Sequence, residues 1–331
     1  MRVAIVGATG AVGQELLELL AERSFPLTSL RLFASRRSAG QTRHFAGDAV
    51  TVEPHPDDGD LASDVVFSSA GGSVSQAHAW AWAAHGAVVI DNTSAWRLDP
   101  RVPLVVPEVN ADALRAHEGV IANPNCSTII ALMALAPLHH AFGLRRVTVA
   151  TYQAVSGAGQ AGIVELDTQT RDVLAGRRPQ PTTFAHPIAF NLFSHDSEIG
   201  DDGYNGEERK LRLEARKILD APDLQVSATC VRVPVMRAHA EAIHAEFSRP
   251  VAEAEARAVL AAASGVRLVD DRSSNTFPMP IEASGRDEVL VGRVRADASL
   301  PGALALFVVG DQIRKGAALN AVQIAEALGA S

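Results

Sequence analysis

The stretch that decides the fold lies near the start of the chain, at Gly7-Ala8-Thr9-Gly10-Ala11-Val12-Gly13. It follows a short apolar run at residues 2–6, rich in β-branched side chains, and precedes a segment of helical periodicity at residues 14–23. Glycines between a strand and a helix let the backbone approach a pyrophosphate, which sits at the helix N-terminus. The spacing is GxxGxxG rather than the stricter GxGxxG, so a plain strand-turn-helix is the alternative. We predict a dinucleotide-binding turn.

The segments that follow alternate between strand and helix patterns. Residues 29–34, 65–69 and 87–91 are apolar runs typical of strands, and residues 74–84 have helical periodicity. Strands alternating with helices predict a parallel, doubly wound sheet. The fold class expected for this part is therefore α/β, with a Rossmann-type dinucleotide-binding domain.

The pattern changes after Cys126. A helix is expected at residues 129–138, kinked or ended by Pro137. Polar residues alternate with apolar ones from 241 to 248, as in an antiparallel sheet with one solvated face. The remaining expected strands are 147–154, 225–233 and 289–294. The remaining expected helices are 160–174, 207–219 and 251–263. We predict a second, α+β domain with a mixed, largely antiparallel sheet.

The expected domain boundaries follow from this change of pattern. Residues 1–126 and 310–331 are assigned to the dinucleotide-binding domain, and residues 127–309 to the second domain. The last helix, expected at residues 313–328, is predicted to pack back on the first domain.

The residues after the second strand indicate which dinucleotide is bound. An NAD enzyme usually has an acidic residue here, which binds the ribose 2′-hydroxyl. This chain has two arginines, two serines and no carboxylate, in the run Ala34-Ser35-Arg36-Arg37-Ser38-Ala39-Gly40. Such a run suits the 2′-phosphate of NADP, and an ordinary basic turn is the alternative.

A cysteine marks the predicted chemistry, within Asn123-Pro124-Asn125-Cys126-Ser127-Thr128, directly before an apolar helix. A cysteine in the first turn of a helix experiences the positive end of the helix dipole, which lowers its pKa and raises its thiolate fraction. The free backbone N–H groups of that turn can also receive an oxyanion. The alternative is a buried structural cysteine, which we expect for Cys230 inside a strand.

The acid/base partner is harder to identify, because the chain has eleven histidines. On position alone, His239 is as readily a solvated loop histidine as a catalytic one. Glu207 and Lys210 lie three residues apart at a helix start, which predicts a surface ion pair with Asn205 as cap and Glu208 completing a capping box.

Taken together, these motifs resemble the bacterial aspartate-semialdehyde dehydrogenases over essentially the whole chain. The most specific element is the segment around Cys126. The other matching segments are Tyr152-Gln153-Ala154-Val155-Ser156-Gly157-Ala158-Gly159, Cys230-Val231-Arg232-Val233-Pro234-Val235 with His239, and Lys315-Gly316-Ala317-Ala318-Leu319-Asn320-Ala321.

The resemblance implies a role for each matching residue. Cys126 would be the nucleophile, His239 the acid/base, and Gln153 would position the acyl group. Arg232 would bind the substrate carboxylate and Glu207 its ammonium, while the phosphate would be bound by Arg97, Asn125 and Lys210. The cofactor contacts would be Gly7, Thr9, Gly10, Ala11, Val12, Arg37, Ser38, Ser156 and Gly157. Gln312 stands where the family usually has Asn. The resemblance therefore does not decide whether Gln312 makes the usual cofactor contact near the nicotinamide.

The implied reaction is the reversible NADPH-dependent conversion of L-aspartyl 4-phosphate to L-aspartate 4-semialdehyde and phosphate through a cysteine thioester. Its product feeds the synthesis of lysine through diaminopimelate, and of threonine, methionine and isoleucine. The family is typically homodimeric or homotetrameric.

Composition narrows the possible partners. The net charge is −8 and no basic block occurs, which disfavours nucleic acid and anionic membranes. Two cysteines without a Cys/His cluster argue against a metal site. The chain opens on Met1, Arg2 and an apolar strand rather than a signal segment, so we expect a cytoplasmic, reducing location.

Three alternatives are considered. N-acetylglutamyl-phosphate reductases share the chemistry, but their cysteine usually lies in a Gly-Cys-Tyr context. Glyceraldehyde-phosphate dehydrogenases have a Ser-Cys-Thr-Thr motif, which is absent here. A non-catalytic NADP-binding paralogue would be indicated by loss of Cys126 or His239, and both are present.

Overall fold

The computed structural model describes residues 1–56 and 59–329. It divides into two compact units, Met1–Asn125 with Ala317–Ser331, and Cys126–Gly316. Cys126 and residues 310–316 thus lie in the second unit, whereas the sequence analysis assigned them to the first domain. The reason is local packing, since Gly316 lies against Cys126 and Gly310 against Ile130. Residues 330 and 331 of the predicted first domain lie outside the described residues.

Fourteen strands and nine α-helices are found among the described residues. The strands are β1 (Arg2–Val6), β2 (Ser29–Ala34), β3 (Thr42–Phe45), β4 (Asp48–Pro54), β5 (Val65–Ser68), β6 (Val88–Asp91), β7 (Val120–Ala122), β8 (Leu144–Gln153), β9 (Phe193–Ser194), β10 (Gln225–Arg232), β11 (His239–Phe247), β12 (Val266–Leu268), β13 (Val289–Ala296) and β14 (Leu304–Gly310). The helices are α1 (Ala11–Glu22), α2 (Gly72–Ala84), α3 (Pro107–Asn110), α4 (Cys126–Phe142), α5 (Gln160–Leu174), α6 (Gly206–Ile218), α7 (Glu253–Ala262), α8 (Pro280–Ala283) and α9 (Leu319–Gly329). Shorter 3-10 and π segments are Ala111–Ala116, Val155–Ala158 and Arg314–Ala318.

The first unit is a doubly wound sheet in the order β3-β4-β2-β1-β5-β6-β7. Its neighbouring strands are parallel except for the antiparallel pair β3–β4. The order reverses at β1, which pairs with β2 on one side and β5 on the other, and a ligand crevice forms at such a reversal beyond the carboxyl ends of the strands. The predicted Rossmann-type α/β domain is confirmed.

The last helix completes the first unit. Leu319, Val322 and Ile324 of α9 are buried in the same apolar cluster as Leu16 and Leu20 of α1. The predicted return of the chain to the first domain is therefore confirmed.

The second unit is built on the sheet β12-β13-β14-β11-β8-β10-β9. The pairs β12–β13 and β8–β10 are parallel and the other four are antiparallel, which confirms the predicted mixed, largely antiparallel sheet. Helix α4 packs on β8, β11 and β14, and α6 packs on β10.

Helix α4 is longer than predicted. It begins at Cys126 and continues through Pro137 to Phe142, so the possibility that Pro137 ends the helix is wrong. Almost every side chain from Ser127 to Leu138 is buried, and this packing outweighs the one backbone hydrogen bond that a proline cannot donate.

Two rows of side chains cross the strands β8, β10 and β11 on one face of the second sheet. Thr151 is paired in register with both Cys230 and Glu241, and Gln153 is paired with Arg232. Side chains two residues apart on a strand point to the same face. We call Thr151, Cys230 and Glu241 the inner row. We call Gln153, Arg232 and His239 the rim row, because each lies two residues away from the inner row on its strand, at the end of β8 and β10 and at the start of β11.

Candidate active site

The glycine-rich turn of the first unit leaves room for a ligand. Gly7 has φ +92°, and a Cβ there would lie 2.7 Å from the Ser69 carbonyl carbon. A Cβ on Gly13 would lie 2.4 Å from the carbonyl oxygen of Gly7, so both positions require glycine. A Cβ on Gly10 would meet nothing closer than 3.4 Å. The turn is therefore tight beneath and open above, as the backbone approach to a pyrophosphate requires.

A cavity of about 510 Å³ opens above this turn. Gly7, Thr9 and Gly10 line it, while Ala11 and Val12 open helix α1. These residues fit a nicotinamide dinucleotide.

Arg36, rather than the neighbouring arginine, lines the same cavity. Arg37 is exposed and Ser38 half-buried, and neither is among its lining residues. None of the described lining residues carries a carboxylate. His55 and His78 also line the cavity, with ring centroids 4.5 Å apart, and sequence reasoning missed both because they come from distant segments.

The segment before Cys126 is rigidly held within the first unit. Arg97, 8% exposed, donates from Nε to the Asn123 carbonyl (2.9 Å) and from Nη2 to the Asn92 carbonyl (3.0 Å). The Asn123 side chain donates to Oδ1 of Asn92 at 2.9 Å and accepts from Nδ2 of Asn320 at 2.6 Å. Asn125 is also buried. Arg97 and Asn125 thus belong to one ordered polar segment.

Cys126 is the first residue of α4, as predicted for a residue in the first turn of a helix, and it is half-buried. Gly316 lies against it, because a Cβ on Gly316 would be 2.9 Å from Cβ of Cys126 and 3.4 Å from Cβ of Gln312. Only glycine allows this approach, which brings residues 312–316 beside the cysteine.

The backbone N–H and carbonyl of Ala154 connect two rim-row side chains. Its carbonyl accepts a hydrogen bond from Nη1 of Arg232 at 3.0 Å, and its N–H donates to Nδ1 of His239 at 3.0 Å. Gly157 lies beside both, since a Cβ there would be 2.9 Å from Nη1 of Arg232 and 3.3 Å from Cε1 of His239. The cation and the imidazole are therefore neighbours in a fixed arrangement.

His239 is fully buried, so the interpretation as a solvated loop histidine is wrong; the residue opens β11. Because Nδ1 accepts from an N–H, it carries no proton, and the neutral ring has its proton on Nε2. Nε2 has no hydrogen-bond partner among the described residues. Burial, with the Arg232 charge adding to it, lowers the pKa of His239 to about 3. The ring is therefore neutral near pH 7 and presents an N–H donor at Nε2.

Gln153, Glu207 and Lys210 form a connected group. Nε2 of Gln153 donates to Oε1 of Glu207 at 3.2 Å, and Nζ of Lys210 donates to Oε2 of Glu207 at 2.9 Å. Asn205 and Glu208 form the predicted capping box of α6, which is confirmed together with the Glu207–Lys210 ion pair. Because Glu207 is only 4% exposed, this is more than the surface pair that its spacing indicated.

Gln312 uses both ends of its amide inside the second unit. Oε1 accepts from the Ala238 N–H at 2.8 Å, and Nε2 donates to Oγ of Ser156. Its position is 3% exposed. The residue ties the segment after β8 to the residue before His239.

The inner row contrasts with these groups. Cys230 is fully buried, and burial raises the pKa of its thiol. Glu241 is also fully buried, neither carboxyl oxygen has a hydrogen-bond partner among the described residues, and burial raises its pKa well above the usual range. Burial thus favours the protonated form of both groups, and the structural role predicted for Cys230 fits this environment.

A search of residues 1–56 and 59–329 finds no group of three His, Cys, Asp or Glu side chains placed to hold a metal ion. Across the same residues, no helix is both long and apolar enough to cross a membrane.

Comparison with known proteins gives full-length matches. The family model described as "Semialdehyde dehydrogenase, NAD binding domain" matches residues 2–117, and "Semialdehyde dehydrogenase, dimerisation domain" matches residues 135–315. An aspartate-semialdehyde dehydrogenase of Synechocystis sp. is 52% identical over 328 residues, covering 99% of this chain and 97% of the relative. The chain belongs to the aspartate-semialdehyde dehydrogenase family.

Solved structures of the family agree. Aspartate semialdehyde dehydrogenase II of Vibrio cholerae, in complex with ASA, matches with a TM-score of 0.96 and 46% identity, covering 99% of this chain and 98% of that one. The enzyme of Candida albicans with NADP matches with a TM-score of 0.75 and 25% identity, covering 99% and 98%. The predicted family and enzyme class, an aspartate-semialdehyde dehydrogenase, are confirmed, and the matches give no support to the alternatives.

Sequence reasoning missed three contacts around the candidate site. His195 accepts a hydrogen bond from Arg232, Ala154 connects Arg232 to His239, and Gly316 allows the approach to Cys126. Ala154 and Gly316 lay in segments already matched to the family, but their roles depend on backbone geometry. His195 lay in no matched segment and had no local signal.

Proposed function

We propose that this chain catalyses the reversible, NADPH-dependent reduction of L-aspartyl 4-phosphate to L-aspartate 4-semialdehyde and phosphate, with Cys126 as the covalent nucleophile. The observation that carries the proposal is the backbone of Ala154, which holds Arg232 and His239 side by side through its carbonyl and its N–H. The carboxylate of this substrate requires a cationic partner such as a guanidinium. The reaction also requires a group that can donate a proton or a hydrogen bond, such as a neutral imidazole.

Cys126 carries the covalent step. Sγ attacks the acyl carbon of aspartyl phosphate, the C–O bond to phosphate breaks, and a thioester forms with release of phosphate. When bound, the dinucleotide supplies the hydride that reduces this thioester. As negative charge develops on the carbonyl oxygen, the Nε2–H of His239 donates to it. Collapse of the tetrahedral adduct then breaks the C–S bond and releases aldehyde and the Cys126 thiolate.

The substrate is positioned by residues at its amino-acid end and at its acyl phosphate end. Arg232 binds the α-carboxylate, and Glu207 binds the α-ammonium with Oε1 and Oε2 already oriented by Gln153 and Lys210. Gln153 positions the acyl group. Arg97, Asn125 and Lys210 bind the phosphate.

NADP is the proposed dinucleotide. Ser35 and Arg36 line the cavity above the glycine turn, none of the described lining residues is acidic, and the Candida albicans relative was solved with NADP. Thr9, Ala11, Val12, Arg37, Ser38, Ser156 and Gly157 complete the proposed contacts, and Gln312 contributes through Ser156. Replacing Arg36 and Arg37 together by Ala should weaken NADP binding far more than NAD binding, and an equal loss for both cofactors would contradict the assignment.

A homodimer or homotetramer formed through the second unit is also proposed, because that unit matches a domain described as a dimerisation domain. Sedimentation equilibrium measures the molecular mass in solution. A multiple of the 34.9 kDa chain is expected, and a monomer at micromolar concentration would contradict the assembly.

The deciding experiment for the activity is a phosphate-dependent NADP reduction assay. Aspartate semialdehyde and N-acetylglutamate semialdehyde are compared side by side, with and without phosphate. We expect NADPH only with aspartate semialdehyde and multiple turnovers only with phosphate. A preference for the N-acetylated aldehyde would refute the proposed substrate.

A further inference from the structure

His195 contacts the guanidinium to which the substrate carboxylate is assigned. It directly follows β9, and its backbone N–H donates to the Cys230 carbonyl at 2.8 Å, which fixes it beside β10. Its side chain is 13% exposed, and Nε2 lies 2.9 Å from Nη2 of Arg232. Arg232 can only donate hydrogen bonds, so Nε2 of His195 must be the acceptor.

The protonation state of His195 follows from this bond. With Nε2 bare, the proton of the neutral ring is on Nδ1, which lies 3.1 Å from Oγ of Ser197. The Ser197 N–H also lies 3.2 Å from Nδ1, but treating Nδ1 as an acceptor there would require a proton on Nε2, facing the guanidinium. The arginine contact therefore decides the tautomer.

Arg232 depends on few contacts for its orientation. Besides His195, Nη1 donates to the Ala154 carbonyl, and the guanidinium carbon lies 5.5 Å from the centre of the Phe184 ring. Its Nε is buried with no hydrogen-bond partner among the described residues. Among the described residues, His195 thus supplies one of the two hydrogen bonds that hold the guanidinium, and Asp196 adds an ion pair with Oδ1 3.6 Å from Nη2.

We propose that neutral His195 is a positioning residue that holds Arg232 in its carboxylate-binding orientation, and that a proton on His195 breaks this contact and weakens substrate binding. The proposal rests on the proposed role of Arg232. A protonated ring has donors at both nitrogens, so Nε2 would oppose the guanidinium with like charge at 2.9 Å.

The charges around His195 set the pH range in which its ring takes up a proton. Burial lowers the pKa of His195, and the nearby charges of Arg232 and Lys210 act in the same direction. Glu207 and Asp196 act in the opposite direction, with Oδ1 of Asp196 3.8 Å from Nδ1 of His195 and 3.6 Å from Nη2 of Arg232. His239 is a further neighbour, but it remains neutral above about pH 3. The contact is therefore intact at neutral pH and lost below the ordinary histidine pKa of about 6.5.

Two variants separate the loss of the hydrogen-bond acceptor for Arg232 from the protonation of the His195 ring. In His195→Gln, the amide oxygen can accept from Arg232 but does not titrate. In His195→Leu, the acceptor is lost at every pH. Because His239 does not titrate in this range, an acid limb that disappears in His195→Gln belongs to His195.

The experiment measures kcat and KM for aspartate semialdehyde from about pH 5 to 8 at saturating NADP and phosphate, a range that spans histidine titration. The chains are wild type, His195→Gln, His195→Leu and, as a matched surface control, His140→Gln, whose parent side chain is exposed in the last turn of α4. Ratios to wild type at each pH remove the titration of phosphate, which all chains share.

We expect KM of His195→Leu to rise roughly 10- to 100-fold at neutral pH with kcat little changed, as for loss of a hydrogen bond to a charged group. His195→Gln should stay within a few-fold of wild type at pH 7. Below about pH 6.5, wild-type KM should rise relative to that of His195→Gln, and His140→Gln should follow wild type. Identical pH profiles for wild type and His195→Gln would overturn the proposal, as would an unchanged KM in a folded His195→Leu.

One further variant distinguishes the carboxylate-binding role of Arg232 from the positioning role of His195. Arg232→Leu is assayed with aspartate semialdehyde and with an aldehyde lacking the α-carboxylate. If Arg232→Leu keeps the wild-type preference, the carboxylate assignment fails and the role of His195 fails with it. If Arg232→Leu loses the preference but His195→Leu keeps it, only the positioning role is wrong. If His195→Leu does not fold, the comparison of wild type with His195→Gln decides.

Discussion

The rim row and the inner row of the second sheet are both buried, but their side chains have different hydrogen-bond partners. Arg232 in the rim row and Cys230 in the inner row lie two residues apart on β10, and His239 and Glu241 lie two residues apart on β11. In the rim row, Ala154 bonds to both Arg232 and His239. In the inner row, burial raises the pKa of both Cys230 and Glu241, and the Glu241 carboxyl has no partner among the described residues.

Position along these strands therefore decides which side chains can bond to backbone groups outside the ladder. Beyond the ends of β8 and β10, the backbone leaves the ladder, and its free peptide groups orient side chains, as Ala154 does. The inner-row side chains are fully buried, and α4 packs on β8 and β11 while α6 packs on β10. A thiol or carboxyl in that position stays protonated and contributes packing.

The largest effect is expected from His239→Asn in the rim row. The change removes the Nε2–H donor at the developing oxyanion, so kcat should fall roughly 10²–10⁴-fold while substrate binding changes little. Stopped-flow measurement of the NADPH signal gives kcat. An unchanged kcat would assign the donor role elsewhere and would break the contrast between the rows.

Arg232→Leu tests the second rim-row residue. A carboxylate facing an apolar group should cost about 2–5 kcal/mol in kcat/KM. Arg232→Lys should also lose activity substantially, because a point charge replaces a planar fork. Steady-state kinetics measures both variants, with NADP affinity and Cys126 alkylation as controls that should not change. If Arg232→Lys retains full activity, a bidentate contact is not needed.

Glu241→Gln tests the inner row through the pH dependence of stability. Burial raises the pKa of Glu241 above its unfolded value of about 4.3, so its contribution to stability is complete below that pH and is lost as pH rises. Between about pH 5 and 7, wild type should lose up to about 1.4 kcal/mol per pH unit relative to Glu241→Gln. Thermal unfolding of both chains across this range measures the difference. A parallel pH dependence in the two chains would show that Glu241 is not a buried acid.

The smallest effect is expected from Cys230→Ala. Removing a buried sulfur should lower the free energy of unfolding by about 1–2 kcal/mol. Activity at room temperature should stay near that of wild type, because the thiol takes part in no proposed step. Denaturant unfolding and the standard assay measure the two quantities. A strong loss of kcat in a folded Cys230→Ala would place the inner row in the chemistry.

Local signals in the sequence predicted a large part of this fold and site. The strand, glycine turn and helix at residues 2–23 and the start of a helix near Cys126 depend on neighbouring residues, so the sequence was sufficient for both. The capping box of Asn205 and Glu208 has the same local origin.

Contacts set by sheet register could not be predicted in this way. The burial of His239 depends on the pairing of β11 with β8 and β14, and the contact of His195 with Arg232 joins residues 37 positions apart. The continuation of α4 through Pro137 depends on tertiary packing of that helix. These outcomes required the three-dimensional arrangement.

We propose that the reaction passes through a thioester on Cys126 and never on Cys230. The most direct test is to incubate the enzyme with aspartate semialdehyde and NADP in the absence of phosphate, then to quench in acid and map adducts by peptide mass spectrometry. We predict one aspartyl adduct on the peptide containing Cys126, one equivalent of NADPH formed per active site, and loss of the adduct when phosphate is added. An adduct on the peptide containing Cys230, or full turnover by Cys126→Ala, would contradict the account.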